Sequence, residues 1–150
     1  MDIWDSRFLK IAKNEVSSWS KDPSRKHGAV IVSDKRIIST GYNGFPRNIS
    51  DSKERYSDRP TKYKFVVHAE LNCILNAAYN GISTKNSTMY VAGGLRVCHE
   101  CAKSIIQAGI KKVIVLSEGD SGWEESTSLA YDLFKEADIK YIVYTGSTEL

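Results

Sequence analysis

The sequence predicts a layered α/β domain with a mixed five-stranded sheet, and three observations lead to this prediction. Five short segments are rich in β-branched and other apolar residues, as strands are. The first two are separated only by a short polar turn, which is typical of a hairpin. The later strands alternate with segments whose apolar residues recur at helical spacing, which is typical of a layered α/β domain.

The predicted elements follow the order α-β-β-α-β-α-β-α-β. Helices are expected at about residues 2–20, 67–80, 98–109 and 124–137, and strands at about 28–32, 37–42, 88–92, 113–116 and 141–144. The last two helices should cross over one face of the sheet in right-handed connections. Residues 43–64 are polar and contain Pro46 and Pro60, so this stretch is expected to be a long functional or mobile loop.

The composition narrows the classes of function. The 150 residues, 41% hydrophobic and 26% charged, suit a single domain over residues 1–150. No apolar run approaches the roughly 18 residues of a membrane span, and the first residues lack the features of a secretory signal. A cytoplasmic location, that of the host if the gene is viral, is therefore expected. The net charge of +3 suits a phosphorylated small substrate and is too weak to indicate nucleic acid binding.

Two short motifs carry the candidate chemistry. His68-Ala69-Glu70 begins one predicted helix, and Cys98-His99-Glu100-Cys101 begins the next. The three cysteines of the chain are an odd number, and the C-x-x-C spacing fits reduced thiols better than a disulfide framework. Residues i and i+3 share one face of a helix, so Cys98 and Cys101 can bind one metal. With His68 they form a set of three zinc ligands that leaves a fourth position for water, as in catalytic zinc sites.

Glu70 is the predicted proton shuttle of this site. It lies about 200° around the helix from His68, so it is not expected to bind the same metal. From the start of the helix its carboxylate can reach a metal-bound water and act as a general acid/base. In the predicted mechanism, Glu70 takes a proton from the zinc water, the hydroxide attacks C4 of cytosine, and ammonia leaves. H-x-E with P-C-x-x-C is the established signature of the zinc deaminases, and this chain has all of it except the proline.

Other interpretations of the cysteines are a structural zinc and a redox pair. A structural zinc needs a fourth protein ligand. Cys73 is about 140° around the helix from His68 and is expected to face the core, which leaves His27 as a remote candidate. A redox pair requires neither His68 nor Glu70. Glu70 has no role if the zinc is only structural. We expect Glu70→Gln to keep zinc binding and the fold but to abolish turnover, and retained activity would contradict the mechanism.

Beyond these two motifs, the chain resembles the deoxycytidylate deaminases of the cytidine deaminase superfamily over nearly its whole length. The resemblance is carried by SKDPS at 20–24, GAVIV at 28–32, GYNGFP at 41–46, VHAELN at 67–72, TMYV at 88–91 and CHECAKSIIQAGI at 98–110.

The resemblance implies a three-layer α/β/α fold, a homo-oligomer that is typically a hexamer, and one catalytic Zn²⁺ per chain. The implied reaction is the hydrolysis of dCMP to dUMP and ammonia, which supplies dUMP for thymidylate synthesis. Regulation by dCTP and dTTP, with Mg²⁺ accompanying the triphosphate, is implied as well. The resemblance assigns the zinc to His68, Cys98 and Cys101 and the catalysis to Glu70. It further assigns the sugar to Asn43, another substrate contact to Ala69, the phosphate to Ser20, Lys21 and Arg25, and the effector to Gly44 and Arg47.

The chain departs from the family pattern at two positions. Val97 stands where proline usually precedes the first cysteine, and proline there would fix the backbone at the start of the helix. His27 stands where a small apolar residue is common, and the sequence leaves open whether it lines the pocket or lies on the surface. Trp123 is expected to be a core or subunit-contact residue.

Two other classes of function compete with a dCMP deaminase. A deaminase acting on dCTP, cytidine or adenosine in tRNA would have the same metal chemistry, because specificity lies in the pocket. A tRNA enzyme should have a strongly basic surface, which a net charge of +3 does not indicate. A non-catalytic zinc module is the second alternative.

Overall fold

The computed structural model describes residues 1–119, 122–145 and 150. Its central sheet contains β1 (Gly28–Ser33), β2 (Arg36–Tyr42), β3 (Thr88–Leu95), β4 (Lys112–Gly119) and β5 (Lys140–Thr145). The strand order is β2-β1-β3-β4-β5. β1 pairs antiparallel with both β2 and β3, whereas β3, β4 and β5 are parallel. The predicted mixed five-stranded sheet is therefore confirmed.

Helices cover both faces of this sheet. The described helices are α1 (Ile3–Lys10), α2 (Lys53–Ser57), α3 (Arg59–Phe65), α4 (Ala69–Tyr79), α5 (His99–Gln107) and α6 (Glu124–Glu136). A π-helical turn, Ile11–Glu15, and a 3₁₀ turn, Val16–Trp19, continue α1, so the predicted first helix is irregular in its second half. Within the described residues, no helix has the length and apolarity to cross a membrane.

The alternation of side chains along the strands produces two hydrophobic cores. Val30 and Val32 of β1 face α1 and pack with Phe8 and Leu9. Ala29 and Ile31 of the same strand face the opposite way and pack with buried residues of α4, α5 and α6. Each buried aliphatic side chain contributes about 1.5–3 kcal/mol to folding. The three layers are thus α1, the sheet, and α4 with α5 and α6, and the last two helices share one face as predicted.

The start of α4 is placed by an unusually close contact with β2. A Cβ atom added to Gly41 would lie 2.3 Å from the backbone nitrogen of Cys73 and 2.6 Å from the carbonyl oxygen of Ala69. The hydroxyl of Ser39 also donates to the carbonyl of Cys73 at 2.7 Å. Only glycine allows this approach, so Gly41 fixes α4 against the sheet and with it the residues at the helix start.

The prediction of a loop over residues 43–64 was wrong in part, because α2 and the greater part of α3 form within this stretch. The side chain of Ser52 caps α2, and Pro60 lies in the first turn of α3, where proline is tolerated. Phe45 stacks on Tyr56 with ring centroids 4.4 Å apart and packs near Phe65 at 5.7 Å. These aromatic contacts give the segment a small core of its own, which the polar composition concealed.

Candidate active site

The two helix starts bring His68, Cys98 and Cys101 together. His68 and Cys98 are the N-cap residues of α4 and α5, and both have extended backbones that turn their side chains toward each other. The Nδ1 atom of His68 lies 3.4 Å from the Sγ of Cys98 and 3.5 Å from the Sγ of Cys101. Tetrahedral zinc with ordinary Zn–N and Zn–S bonds separates its ligands by about 3.6 Å. The donor atoms and their spacing therefore fit Zn²⁺.

The electrostatics of the cluster favour a thiolate. The Cys101 thiol donates to Cys98, and together with His68 this outweighs burial and lowers the pKa of the Cys98 thiol to about 4. The sulfur of Cys98 also accepts the backbone N–H of Cys101 at the N-terminus of α5. The hydrogen bond to Cys98 in turn raises the pKa of His68. Bound Zn²⁺ would take the place of these shared protons.

Among the described residues, no other histidine, cysteine or acidic side chain joins this metal-binding group. Cys73 is fully buried in the hydrophobic core, and its thiol points to the carbonyl of Ala29 at 3.6 Å. The prediction that Cys73 faces the core is confirmed. Three protein ligands without a fourth are typical of a catalytic zinc site and not of a structural one.

Glu70 lies in the first turn of α4 and is 6% exposed. Burial raises the pKa of its carboxyl group, while the charge of His68 and a hydrogen bond with Cys101 partly oppose that rise. A carboxyl group with a raised pKa is a stronger base when ionised, which suits a general acid/base. The structure thus places a buried acid/base beside the predicted metal ligands.

A cavity of about 320 Å³ opens onto the cluster. His68, Glu70 and Cys98 line its inner end together with Ala69. Exposed cationic side chains line it as well, and these are Arg25, Arg59 and Arg96. The volume suits a small molecule, and the cations suit an anionic group on that molecule.

The polar loop before β1 is held to the cavity wall by Asn43 and Asp22. The Nδ2 of Asn43 donates to the carbonyl of Arg25 at 2.9 Å, and its Oδ1 accepts the backbone N–H of His27 at 2.8 Å. Asp22 accepts the N–H of Ser24 at 2.9 Å and pairs with Lys62 of α3 at 2.8 Å. The predicted substrate residues Asn43, Arg25 and Ala69 all line the cavity.

The two other predicted phosphate residues lie outside the cavity lining. Ser20 is 2% exposed, and its hydroxyl donates to the carbonyl of Asn43 at 2.7 Å. Lys21 is exposed, and its ammonium pairs with Asp51 at 3.0 Å. Ser20 therefore supports the cavity wall from behind, and Lys21 lies on the surface of the same loop.

The predicted effector residues occupy different positions. Gly44 pairs through its backbone with Val67, the residue before the zinc ligand His68, with hydrogen bonds of 3.1 and 2.8 Å. The guanidinium of Arg47 donates to Asn76 at 2.6 Å and stacks over the ring of Tyr79 at 4.4 Å. Arg47 lies in a shallow groove between β2 and α4, apart from the cavity.

Sequence reasoning missed several residues of the cavity. Trp123, expected in a core or a subunit contact, lines the cavity with its ring edge-on to that of His68 at 6.3 Å. His27 lines the cavity too, which settles the question the sequence left open. Lys62 and Tyr63 lie in α3, where the sequence predicted a loop. Had the helix over Arg59–Phe65 been recognised, these two residues could have been placed beside the cavity.

The structure shows how Val97 can replace the proline that the family usually has at this position. It is fully buried, and its backbone N–H donates to the hydroxyl of Tyr141 at 3.3 Å. Proline has no N–H to offer there. Proline would fix the backbone before Cys98 through its ring. In this chain a hydrogen bond to Tyr141 of β5 holds that backbone instead.

Comparison with known proteins agrees with this geometry. Residues 2–117 match the model of the cytidine and deoxycytidylate deaminase zinc-binding region. The chain belongs to this family. It is 42% identical over 148 residues to the deoxycytidylate deaminase of Mus musculus, an alignment that covers 95% of this chain and 80% of that protein. The deoxycytidylate deaminase of Homo sapiens is 41% identical over 144 residues, covering 92% of this chain and 78% of that protein.

A solved structure of the family has the same fold. The dCMP deaminase of the cyanophage S-TIM5, in complex with dCMP and dUMP, superimposes with a TM-score of 0.76 at 27% identity. The match covers 97% of this chain and 99% of the phage chain. The cytidine deaminase-like fold implied by the sequence motifs is therefore confirmed for this family member.

Proposed function

We propose that this zinc-dependent deaminase hydrolyses dCMP to dUMP and ammonia. The single observation that carries the proposal is the convergence of the zinc-ligand set His68, Cys98 and Cys101 with the buried carboxyl of Glu70 at the inner end of one cavity. The relatives named deoxycytidylate deaminase and the phage enzyme in complex with dCMP and dUMP support dCMP as the substrate.

The residues of the site divide the chemistry between them. His68, Cys98 and Cys101 would hold Zn²⁺, which lowers the pKa of water and acts as a Lewis acid when bound. Glu70 accepts a proton from the attacking water and passes it to ring N3 as oxygen bonds to C4. Glu70 then transfers the second water proton to the amino group as the C4–N bond breaks. One water is consumed and one ammonia is released, which leaves uracil.

The cytosine ring is oriented by the start of α4 and by Trp123. His68, the N-cap residue of α4, makes no capping hydrogen bond, and Ala69 lines the cavity, so the N–H of Ala69 can donate to the C2 carbonyl of the base. Trp123 provides an aromatic wall beside His68. Together they hold C4 of the ring toward the zinc ligands.

The phosphate is proposed to lie at the cationic mouth of the cavity. Arg25 and Arg59 are exposed there and can form charge-assisted hydrogen bonds with phosphate oxygens. Lys62 is nearly buried and already pairs with Asp22, so it contributes mainly by holding α3 against the loop. Lys21 should contribute less to phosphate binding than Arg25 and Arg59, because Asp51 neutralises its charge on the outer surface.

Effector control and assembly are proposed for the face formed by β2 and α4. The groove beside Arg47 could hold a dCTP or dTTP effector with Mg²⁺, and the Gly44–Val67 pairing links this face to the zinc ligand His68. Tyr79 and Leu75 of α4 are exposed, which suits contacts between copies in a homo-oligomer such as a hexamer.

The experiment that tests the function compares dCMP, dCTP, deoxycytidine and CMP as substrates, with and without dCTP or dTTP and Mg²⁺. Loss of cytosine absorbance and release of ammonia are measured, with Glu70→Gln as the inactive control. We expect the highest kcat/KM for dCMP, and we expect Glu70→Gln to keep its zinc but lose at least about 10³-fold in kcat. Absence of turnover on all four substrates by zinc-loaded protein would contradict the proposal.

A further inference from the structure

His27 is a cavity residue to which the proposed reaction assigns no role. It immediately precedes β1 and lines the cavity together with Arg25, Asn43 and His68. Its side chain faces the same cavity as His68, and along the chain it follows Arg25 by two residues. Arg25 belongs to the phosphate end of the cavity and His68 to the reaction centre. His27 therefore lies beside the middle of the cavity, where the sugar of a nucleotide would lie.

The position of His27 is fixed by its neighbours. Its backbone N–H donates to Asn43 at 2.8 Å. On the other side, β3 approaches so closely that a Cβ atom on Gly93 would lie 2.6 Å from the Cα and 2.9 Å from the Nδ1 of His27. Gly93 also has a φ of 136°, which favours glycine. Asn43 thus holds the backbone of His27 on one side, and the imidazole lies against Gly93 of β3 on the other.

The charge state of His27 suits a hydroxyl ligand. The pKa of its imidazole is lowered to about 4, first by burial and then by Arg25, so the ring is neutral at physiological pH. A neutral imidazole offers one N–H donor and one acceptor nitrogen. A sugar hydroxyl also donates and accepts, whereas the C2 carbonyl of the base only accepts.

Asn43, the residue expected to contact the sugar, has few polar atoms left for that contact. Both hydrogens of its Nδ2 are used, by the carbonyl of Arg25 at 2.9 Å and by the carboxylate of Asp22 at 3.4 Å. Its Oδ1 already accepts the N–H of His27. The carboxamide can accept one further hydrogen bond but has no N–H left to donate.

We propose that His27 is a specificity-determining residue that hydrogen-bonds the 3′-hydroxyl of the nucleotide sugar. The inference rests on the proposed function, since it assumes that a cytosine nucleotide occupies the cavity. Asn43 then acts chiefly as a positioning residue, because its hydrogen bonds fix the backbone of His27 and the loop that carries Arg25.

The test compares dCMP with 2′,3′-dideoxycytidine 5′-monophosphate, which lacks the 3′-hydroxyl. The wild-type enzyme should lose about tenfold or more in kcat/KM on the dideoxy substrate, because the buried imidazole is left without its partner. His27→Val should act on both substrates with kcat/KM values within about twofold of each other. His27→Gln, which keeps a donor and an acceptor, should recover part of the preference.

Zinc content and thermal melting of each variant show that the fold and the metal site are intact. If His27→Val keeps the wild-type preference for dCMP, or if the wild type shows no preference, the inference is overturned while the proposed function stands. If His27→Val does not fold, the wild type and His27→Gln still decide the question. Failure of the wild type to deaminate dCMP at all would instead count against the proposed function.

Discussion

The carboxylate of Asp22 lies 2.8 Å from the ammonium of Lys62, and the two side chains are only 2% and 13% exposed. Asp22 also accepts the backbone N–H groups of Ser24 at 2.9 Å and Arg25 at 3.3 Å. One buried carboxylate thus joins α3 to the loop that carries the phosphate-binding candidate Arg25. Burial alone would raise the pKa of Asp22, but Lys62 and the two N–H groups outweigh it and keep the pKa below its usual value.

We predict that Asp22→Asn lowers the free energy of unfolding by about 3 kcal/mol or more, because it leaves the charge of Lys62 buried without a partner. Urea denaturation of the zinc-loaded protein near neutral pH measures this effect. Asp51→Asn is the matched control, since Asp51 pairs with Lys21 on the exposed surface of the same loop. The control should have no measurable effect. Equal losses in the two variants would contradict a special role for Asp22.

We predict that replacing Arg25 weakens the binding of dCMP, whereas replacing Lys21 does not. Arg25→Ala should raise KM for dCMP by about tenfold, because a charge-assisted contact contributes roughly 1.5–3 kcal/mol. It should leave the kinetics of deoxycytidine, which has no phosphate, nearly unchanged. Lys21→Ala should behave as wild type on both substrates, since Lys21 lies outside the cavity lining and pairs with Asp51. A larger effect at Lys21 than at Arg25 would move the phosphate site to the outer loop surface.

We predict that zinc binding depends on Cys98 and Cys101 but not on Cys73. Cys98→Ser and Cys101→Ser should lose most of the bound zinc and all measurable turnover, because each removes a thiolate ligand. Cys73→Ala should keep one zinc per chain, since Cys73 lies in the core. Metal analysis after gel filtration measures the zinc content. Stoichiometric zinc in Cys101→Ser would show that another residue completes the site.

We predict that the buried imidazole of His27 makes the free energy of unfolding depend on pH. Its folded pKa of about 4 lies below the ordinary value of 6.5, mainly because of burial and Arg25, with smaller contributions from His68 and Lys62 and an opposing one from Asp22. The unfolded chain therefore binds the proton first as the pH falls, and stability decreases as the pH falls from about 6.5 to about 4.

Between about pH 7.5 and pH 5, this single group should lower the stability of the wild type by roughly 2 kcal/mol. His27→Val should lack this component, so its stability should fall less over the same interval. Denaturant unfolding of zinc-loaded wild type and variant at the two pH values measures the difference. Parallel losses in both proteins would show that the imidazole is already protonated in the folded state.

The sequence predicted the parts of the molecule that depend on local patterns. The strands show runs of β-branched residues, and the helix starts at His68 and Cys98 coincide with the motifs themselves. The five-stranded mixed sheet and the metal-binding group both followed from such patterns. The zinc ligands could be assigned from their residue types and spacing, although His68 and Cys98 are 30 positions apart.

The sequence could not predict what tertiary packing decides. The helices α2 and α3 are short and polar, and they form because Phe45 stacks on Tyr56, a contact between residues eleven positions apart. Trp123 and His27 belong to no motif. Only the folded chain places the residue before α6 and the residue before β1 in the wall of one cavity. The direction of a side chain such as Lys21 depends on a partner, Asp51, that no spacing rule indicates.

The measurement that tests the central claim most directly is the incubation of zinc-loaded protein with dCMP in water enriched in ¹⁸O. The account predicts dUMP that carries one ¹⁸O atom at C4, with one ammonia released for each dUMP, and neither product with Glu70→Gln. Unchanged dCMP in the presence of stoichiometric zinc, or dUMP without ¹⁸O at C4, would contradict the assignment of this site as a hydrolytic deaminase of cytosine nucleotides.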